Sequence, residues 1–428
     1  MRKIIIIVLI ILVVLGGIWI WWRGSQAPED GGVGDSSLDT DNGSFFPSGQ
    51  PLGAGTGTDI TGPTGTGTQP DGTGTTGDPN LSLASGFNKI SSGPVAGASL
   101  VGNASSSMVI YMDKARGHLF GVRPDDLLSS RQLSNTTIPK VEELLIGETT
   151  NNASTTIQII ARYQTDNRLQ NFSAALIGLD SGTINDLGEL EGSFLSPNIT
   201  QIATSPQKDR IFYLEDGRNN TTGYLANWDG TGKVEIFSSP LSEWLISWPN
   251  EELLALQTKT ASNLDSLLYT INTQTKTEQL VFNRVPGLST LLSPNGRQVL
   301  YSGNTRDGLA FGVYPISENL FKRLLVNTLA EKCVWSSDNV TIYCGVPVRL
   351  PLGSLPDGWY RGEFSFTDNI WKIDTDSGKT EIIYNPELAN LGRTLDATKL
   401  FLDAKEENLF LINKTDQELW ALDLGAAF

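Results

Sequence analysis

Few residues in this chain of 428 are of the types that carry group transfer or metal chemistry: two cysteines, Cys333 and Cys344, and one histidine, His118. Hydrolysis through a Ser-His-Asp or Cys-His arrangement would have to use His118. Its setting, Ala115-Arg116-Gly117-His118-Leu119-Phe120, reads instead as a tight turn entering an apolar strand. One imidazole and two thiols are too few for a zinc site built from His and Cys. The run Asp374-Thr375-Asp376-Ser377-Gly378 through Glu381 has the composition of a calcium loop but not the spacing to a bidentate Glu, and reads as a turn. No glycine-rich phosphate loop, G-x-S-x-G elbow or H-E-x-x-H helix occurs. The sequence therefore nominates no catalytic residue, metal ligand or cofactor.

Two features remain with chemical content. If Asp338-Asn339 is the two-residue turn of a hairpin, Cys333 stands opposite Cys344, Val334 opposite Tyr343 and Trp335 opposite Ile342. The thiols then share one face of a sheet at a separation a disulfide can bridge, with two free buried thiols as the alternative. The second feature is VPVRLPLGSLPDGWYRGEF, between Val346 and Phe364. Prolines stiffen it, and Arg349, Trp359, Tyr360 and Arg361 form the mix of aromatic and guanidinium groups enriched at binding hot spots. Either these four residues make a binding loop, or Trp359 and Tyr360 fold back over the protein's own edge.

The elements that must position these residues are set by a repeat. Apolar runs flank a polar turn near Asn103 to Ser106, Glu148 to Asn152, Pro206 to Asp209, Pro249 to Glu252, Pro294 to Arg297, Ser336 to Asn339 and Ala404 to Glu407, mostly 42 to 46 residues apart. Such a period, with short β-rich runs such as QVLYSG, RIFYLE and IWKIDT, marks a propeller blade rather than a helical solenoid. One unit shows four strands in order: Leu291 and Leu292, Gln298 to Ser302, Leu309 to Pro315 and Phe321 to Val326. The fold class expected is all-β, a seven-bladed β-propeller, with six or eight blades as alternatives. The last unit lacks one strand, and FNKISSGPVAG, beginning at Phe87, is placed to supply it and close the ring.

The turns Ser293-Pro294-Asn295-Gly296-Arg297, Trp335-Ser336-Ser337-Asp338 and Asp374-Thr375-Asp376-Ser377-Gly378-Lys379 resemble those of TolB-like, WD40-like propeller repeats. The resemblance covers about Lys89 to Leu424. It implies a propeller that presents loops to partners; where TolB-like proteins carry an extra α/β domain, this chain has an apolar segment and a linker. That layout is similar to anchored bacterial propellers of unassigned function.

The N-terminal part accounts for location. Ile4 to Trp22 is a run of 19 uncharged residues, close to the roughly 20 a helix needs to cross a bilayer and longer than a signal-peptide core. Residues 1–23 are thus expected to be a single-pass anchor. Arg2 and Lys3 place the N-terminus in the cytoplasm and the remainder outside. Residues 24–86 are Gly, Thr, Pro, Ser and Asp-rich, the composition of a disordered tether, and residues 87–428 form the propeller. The net charge of −16, with no long basic run in the exported part, disfavours nucleic acid. The function expected is a non-catalytic binding or scaffold module for a protein or glycan in the cell envelope; a propeller-type hydrolase or an envelope-complex sensor is the alternative.

Overall fold

The computed structural model describes residues 86–425 except 152–153, 166–167, 179–186, 352–353 and 390. The expected anchor and nearly all of the tether lie outside the described residues, and no helix among those described is long and apolar enough to cross a membrane. The 28 strands, β1 to β28, form seven four-stranded antiparallel sheets. Blade 1 is β2 (Val95–Val101) to β5 (Asp126–Gln132), and blade 2 is β6 (Val141–Asn151) to β9 (Glu189–Phe194). Blade 3 is β10 (Ile199–Thr204) to β13 (Val234–Ser239), and blade 4 is β14 (Trp244–Asn250) to β17 (Glu278–Pro286). Blade 5 is β18 (Ser289–Leu292) to β21 (Lys322–Arg323), and blade 6 is β22 (Cys333–Trp335) to β25 (Thr380–Tyr384). Blade 7 joins β26 (Ala397–Leu402), β27 (Asn408–Asn413) and β28 (Leu419–Asp423) to β1 (Phe87–Lys89). The chain is an all-β, seven-bladed propeller.

Why these strands make a ring is visible in their second members. Adjacent residues of each second strand enter different apolar clusters: Ile110 packs between blades 1 and 2 while Val109 packs toward blade 7. Tyr213 and Phe212 divide likewise, as do Val299 and Leu300. Side chains alternate across a strand, so a strand apolar at successive positions must be covered on both faces. Only a neighbour on each side satisfies it, and the core is accordingly seven layers between blades.

The turn between first and second strands is where the repeat is most regular. In blades 3, 5, 6 and 7 it opens on Ser205, Ser293, Ser336 or Asp403, and the fourth residue, Lys208, Gly296, Asn339 or Glu406, takes positive φ of 60°, 69°, 62° and 56°. The backbone N–H of the opening residue donates to the carbonyl five positions on. The left-handed fourth residue is the device that lets a type I turn join antiparallel strands. This corrects the two-residue reading of Asp338-Asn339: Ser336 and Thr341 are the last bonded pair, and the loop is Ser337 to Val340. Adding one residue to each arm preserves parity, so Cys333 still pairs with Cys344, Val334 with Tyr343 and Trp335 with Ile342.

Closure is made by β1, whose Phe87, Asn88 and Lys89 pair with Leu422, Ala421 and Trp420. Phe87 stacks between Tyr384 and Trp420, at 4.4 and 4.9 Å between ring centroids. Because β1 runs antiparallel to β28, the chain arrives at the end of the ring that carries the first-to-second turns, where Asp423 N donates to Gly86 O. That end is called lower here. The upper end carries the second-to-third connections and the crossings between blades.

Candidate functional site: the upper mouth of the ring

The first strand is the inner end of each sheet order, and first strands touch where β2 meets β6, β6 meets β10, β10 meets β14 and β22 meets β26, so the upper ends of these strands and the loops above them form the mouth. Its two sides are built differently.

On the side of blades 4 to 7 the mouth is covered by the blade 6 insertion. Val348 N, bonded to Thr367 O at 2.8 Å, pins its base, and a one-turn helix, α1 (Asp357–Tyr360), lies across its neighbours. The Asp357 carboxylate accepts from Ser262 N and Ser262 Oγ of blade 4, the latter at 2.7 Å. Asn304 of blade 5 donates to Leu355 O at 2.6 Å, and Lys414 of blade 7 donates to Trp359 O. Trp359 is 1% exposed and packs with Leu309, Leu329, Leu355 and Phe366.

Beneath Trp359 sits a buried charge cluster. Lys332, just ahead of β22, donates to Asp368 Oδ2 at 2.8 Å, to Asp396 Oδ1 at 2.5 Å and to Ala397 O at 3.0 Å. Asp396 Oδ2 accepts from Trp359 Nε1 at 2.8 Å and Phe366 N at 3.0 Å. The ammonium also lies 4.9 and 4.7 Å from the Trp359 and Phe366 ring centroids, the placement of a cation–π contact. Burial works against the charged lysine, but the two carboxylates outweigh it and hold Lys332 above its ordinary value. Burial pushes Asp368 up to about 6 against the pull of Lys332. The adjacent Glu331 accepts from Tyr360 Oη and Ser289 Oγ, and burial pushes it up to about 7, with Tyr360 opposing.

The four residues of the expected binding loop therefore part company. Arg349 and Arg361 are exposed, Arg361 paired with Glu363 at 2.7 Å, whereas Trp359 is buried and Tyr360 is half-buried with its hydroxyl on Glu331. The aromatic pair covers the protein's own edge. Cys333 and Cys344 are linked by a disulfide, buried with Cα atoms 4.1 Å apart, directly after Lys332. His118 begins β4 (His118–Arg123) and its Nε2 is bonded to Thr137 Oγ1 at 2.9 Å, with neither thiol on the same blade. Among the described residues no group of His, Cys, Asp and Glu is placed to hold a metal ion.

On the side of blades 7, 1, 2 and 3 no comparable insertion lies over the mouth among the described residues. Here the first strand of every blade breaks register with its partner near the upper end: between Val95 and Ala98, Val141 and Glu143, Ile199 and Gln201, and Thr398 and Phe401. Blades 5 and 6 show no such break in the corresponding pairing. Bulges re-aim side chains, and the residues displaced here include Glu142, Thr200 and Lys399. Lys114 bonds Glu142 at 3.1 Å and Gln417 at 3.0 Å, and Arg162 bonds Glu143 at 2.6 Å, Asn171 at 3.0 Å and Thr200 O at 2.9 Å. Lys399, the bulge residue of β26, has φ of 49° and is exposed between buried Thr398 and Leu400. Solvent-accessible yet enclosed by inner strands, its amine is held below its ordinary value by burial, with Glu143 of blade 2 opposing and Lys114 of blade 1 adding to the shift. Sequence reasoning missed this half of the mouth, since a one-residue bulge leaves no periodic trace.

No protein-family model matches the chain, and no curated protein matches it. Solved structures similar to it include an oligogalacturonate lyase in complex with manganese, at 8% identity and a TM-score of 0.48, covering 77% of this chain and 96% of that one. TolB from Acinetobacter baumannii is similar at 13% identity and a TM-score of 0.39, covering 76% of this chain and 78% of that one. The β-propeller domain of the Trilobed protease from Pyrococcus furiosus is similar at 9% identity and a TM-score of 0.38, covering 62% and 77%.

Proposed function

We propose that this protein is a membrane-held binding module whose propeller presents its upper mouth to a protein or glycan partner outside the cytoplasm. The observation that carries the reading is the asymmetry of the mouth: the covered side buries its charges in internal pairs, while on the open side Lys114, Glu142 and Lys399 keep side-chain surface in water. One fact supports the compartment. A buried Cys333–Cys344 disulfide suits an oxidising compartment.

The test is capture from envelope extracts by the full chain and by Thr200→Trp, which fills the open side from an exposed position of β10. A partner held by the parent chain and lost in the variant, with unchanged melting, supports the reading. Equal capture by both would overturn it, and turnover of an added peptide or glycoside would favour the hydrolase alternative.

A further inference from the structure

Lys332, Asp368 and Asp396 come from three segments, and none of their side chains keeps any exposed surface. The two oxygens of Asp396 have different partners. Oδ1 lies 2.5 Å from Lys332 Nζ, while Oδ2 accepts from Trp359 Nε1 at 2.8 Å and from Phe366 N at 3.0 Å. Asp368 Oδ2 stands 2.8 Å from the same Nζ and accepts from Ala397 N at 2.8 Å, and Asp368 Oδ1 is buried with no hydrogen-bond partner. A carboxylate oxygen so placed is costly until the group takes up a proton, and burial accordingly pushes Asp368 up to about 6. The rings of Trp359 and Phe366, 1% and 2% exposed, stand beside the amine and keep water out. An amine, a carboxyl group polarised by two N–H donors and a second carboxyl group able to carry a proton are what acyl transfer requires.

We propose that this cluster modifies itself: Lys332 and Asp396 condense to an amide that joins blade 6 covalently to blade 7. The ion pair described above is the reactant. Its ammonium passes one proton to Asp396 Oδ1, leaving a neutral amine beside a neutral acid, the forms that burial favours. Nζ then attacks Cγ; near-attack geometry asks for about 3–3.5 Å, and the hydrogen bond to Oδ1 holds the nitrogen close to that carbon. The electron pair displaced from the C=O bond collects on Oδ2, where the N–H groups of Trp359 and Phe366 stabilise it. Asp368 takes a second proton from the nitrogen and returns it to Oδ1. The Cγ–Oδ1 bond breaks, water leaves, the carbonyl re-forms at Oδ2, and Asp368 ends ionised as it began. Exclusion of water opposes the reverse hydrolysis. The bond closes a loop with a sequence separation of 64, which contains the disulfide and the whole blade 6 insertion.

The experiment is mass spectrometry of the full chain, incubated overnight in its native state and then unfolded with the disulfide reduced. The intact chain is expected to be lighter by one water than its sequence requires. Trypsin should leave a branched peptide joining residues 324–349 to residues 394–399, because an acylated Lys332 is not cut. Asp396→Ala should show the full mass and no branch. Asp368→Asn keeps an oxygen acceptor but cannot shuttle a proton, and its cross-linked fraction should fall at least tenfold while circular dichroism shows a folded propeller. Full mass in the parent chain, loss of water without the branched peptide, or a branch to residues 362–372, which contain Asp368, would overturn the proposal. So would a folded Asp368→Asn variant cross-linked as fully as the parent. If that variant does not fold, the parent's mass and branched peptide decide alone.

Discussion

The two sides of the mouth are made from the same blade, yet one is sealed and the other is open. On the sealed side regular first strands in blades 5 and 6 leave a flat rim, and the insertion lies on it with Trp359 over Lys332, Asp368 and Asp396, all three fully buried. On the open side bulges lift polar residues off the strands, and the Lys114–Glu142 pair keeps 22% and 38% of its side-chain surface in water. The difference teaches that charge in this protein has two uses. Buried charge fastens one blade to the next, because an unpaired ion there is costly; wet charge is cheap to separate and can turn to a ligand.

The comparison is tested most severely at Lys332. Lys332→Ala leaves two buried carboxylates facing each other without a cation, and a loss of about 3–5 kcal/mol is expected in urea unfolding. Lys114→Ala, across the mouth, should cost under about 1 kcal/mol. Comparable losses would erase the distinction. Next in size is the disulfide, which closes a short loop with a sequence separation of 11. The Cys333→Ala, Cys344→Ala double variant should lose about 2–3 kcal/mol, with the change centred on blade 6 in hydrogen exchange and the open side unaffected.

Acidity provides a smaller effect with a definite sign. Glu331 rises from an ordinary 4.5 to about 7 in the folded protein, so the fold binds its proton more tightly than the unfolded chain does. Its contribution to stability is complete below the unfolded value and is lost as pH climbs from about 4.5 through 7. Asp368, raised to about 6, acts in the same direction. Glu331→Gln keeps the acceptor for Tyr360 and removes the titration, so its stability should decline less between pH 5 and 7 than that of the parent, as measured by denaturation at a series of pH values. An unchanged pH profile would mean that Glu331 is not the sealed side's titrating group. Smallest of all is Arg361→Ala: the guanidinium is exposed and pairs with Glu363, and the midpoint of thermal unfolding should be the same as the parent's.

Much of the ring is legible in the amino-acid sequence, and what is legible there is local. The turn Ser293-Pro294-Asn295-Gly296 joins its strands through bonds among neighbours, with Gly296 left-handed and Ser293 capping the loop at Gln298 N. The same short-range logic holds the parity between Cys333 and Cys344 even though the loop is longer than two residues. The missing strand of blade 7 shows as an incomplete unit at one end of the chain and an orphan run at the other.

The sequence by itself determined the blades and their order and pointed to seven with six or eight left open, because each blade is specified by hydrogen bonds and side-chain alternation within some forty residues, whereas the count was settled by the closed ring. Tertiary structure alone decided which side of the mouth is sealed. Trp359 turns inward because Asp396, 37 positions away, accepts its indole N–H, and Lys332 tolerates burial because carboxylates from two other segments converge on it. Lys399 feels the charge of Glu143, two blades off, only because the ring brings blades 7 and 2 to one mouth. None of these pairings has a spacing that recurs; they exist only once the ring has closed and brought distant segments to one end of it.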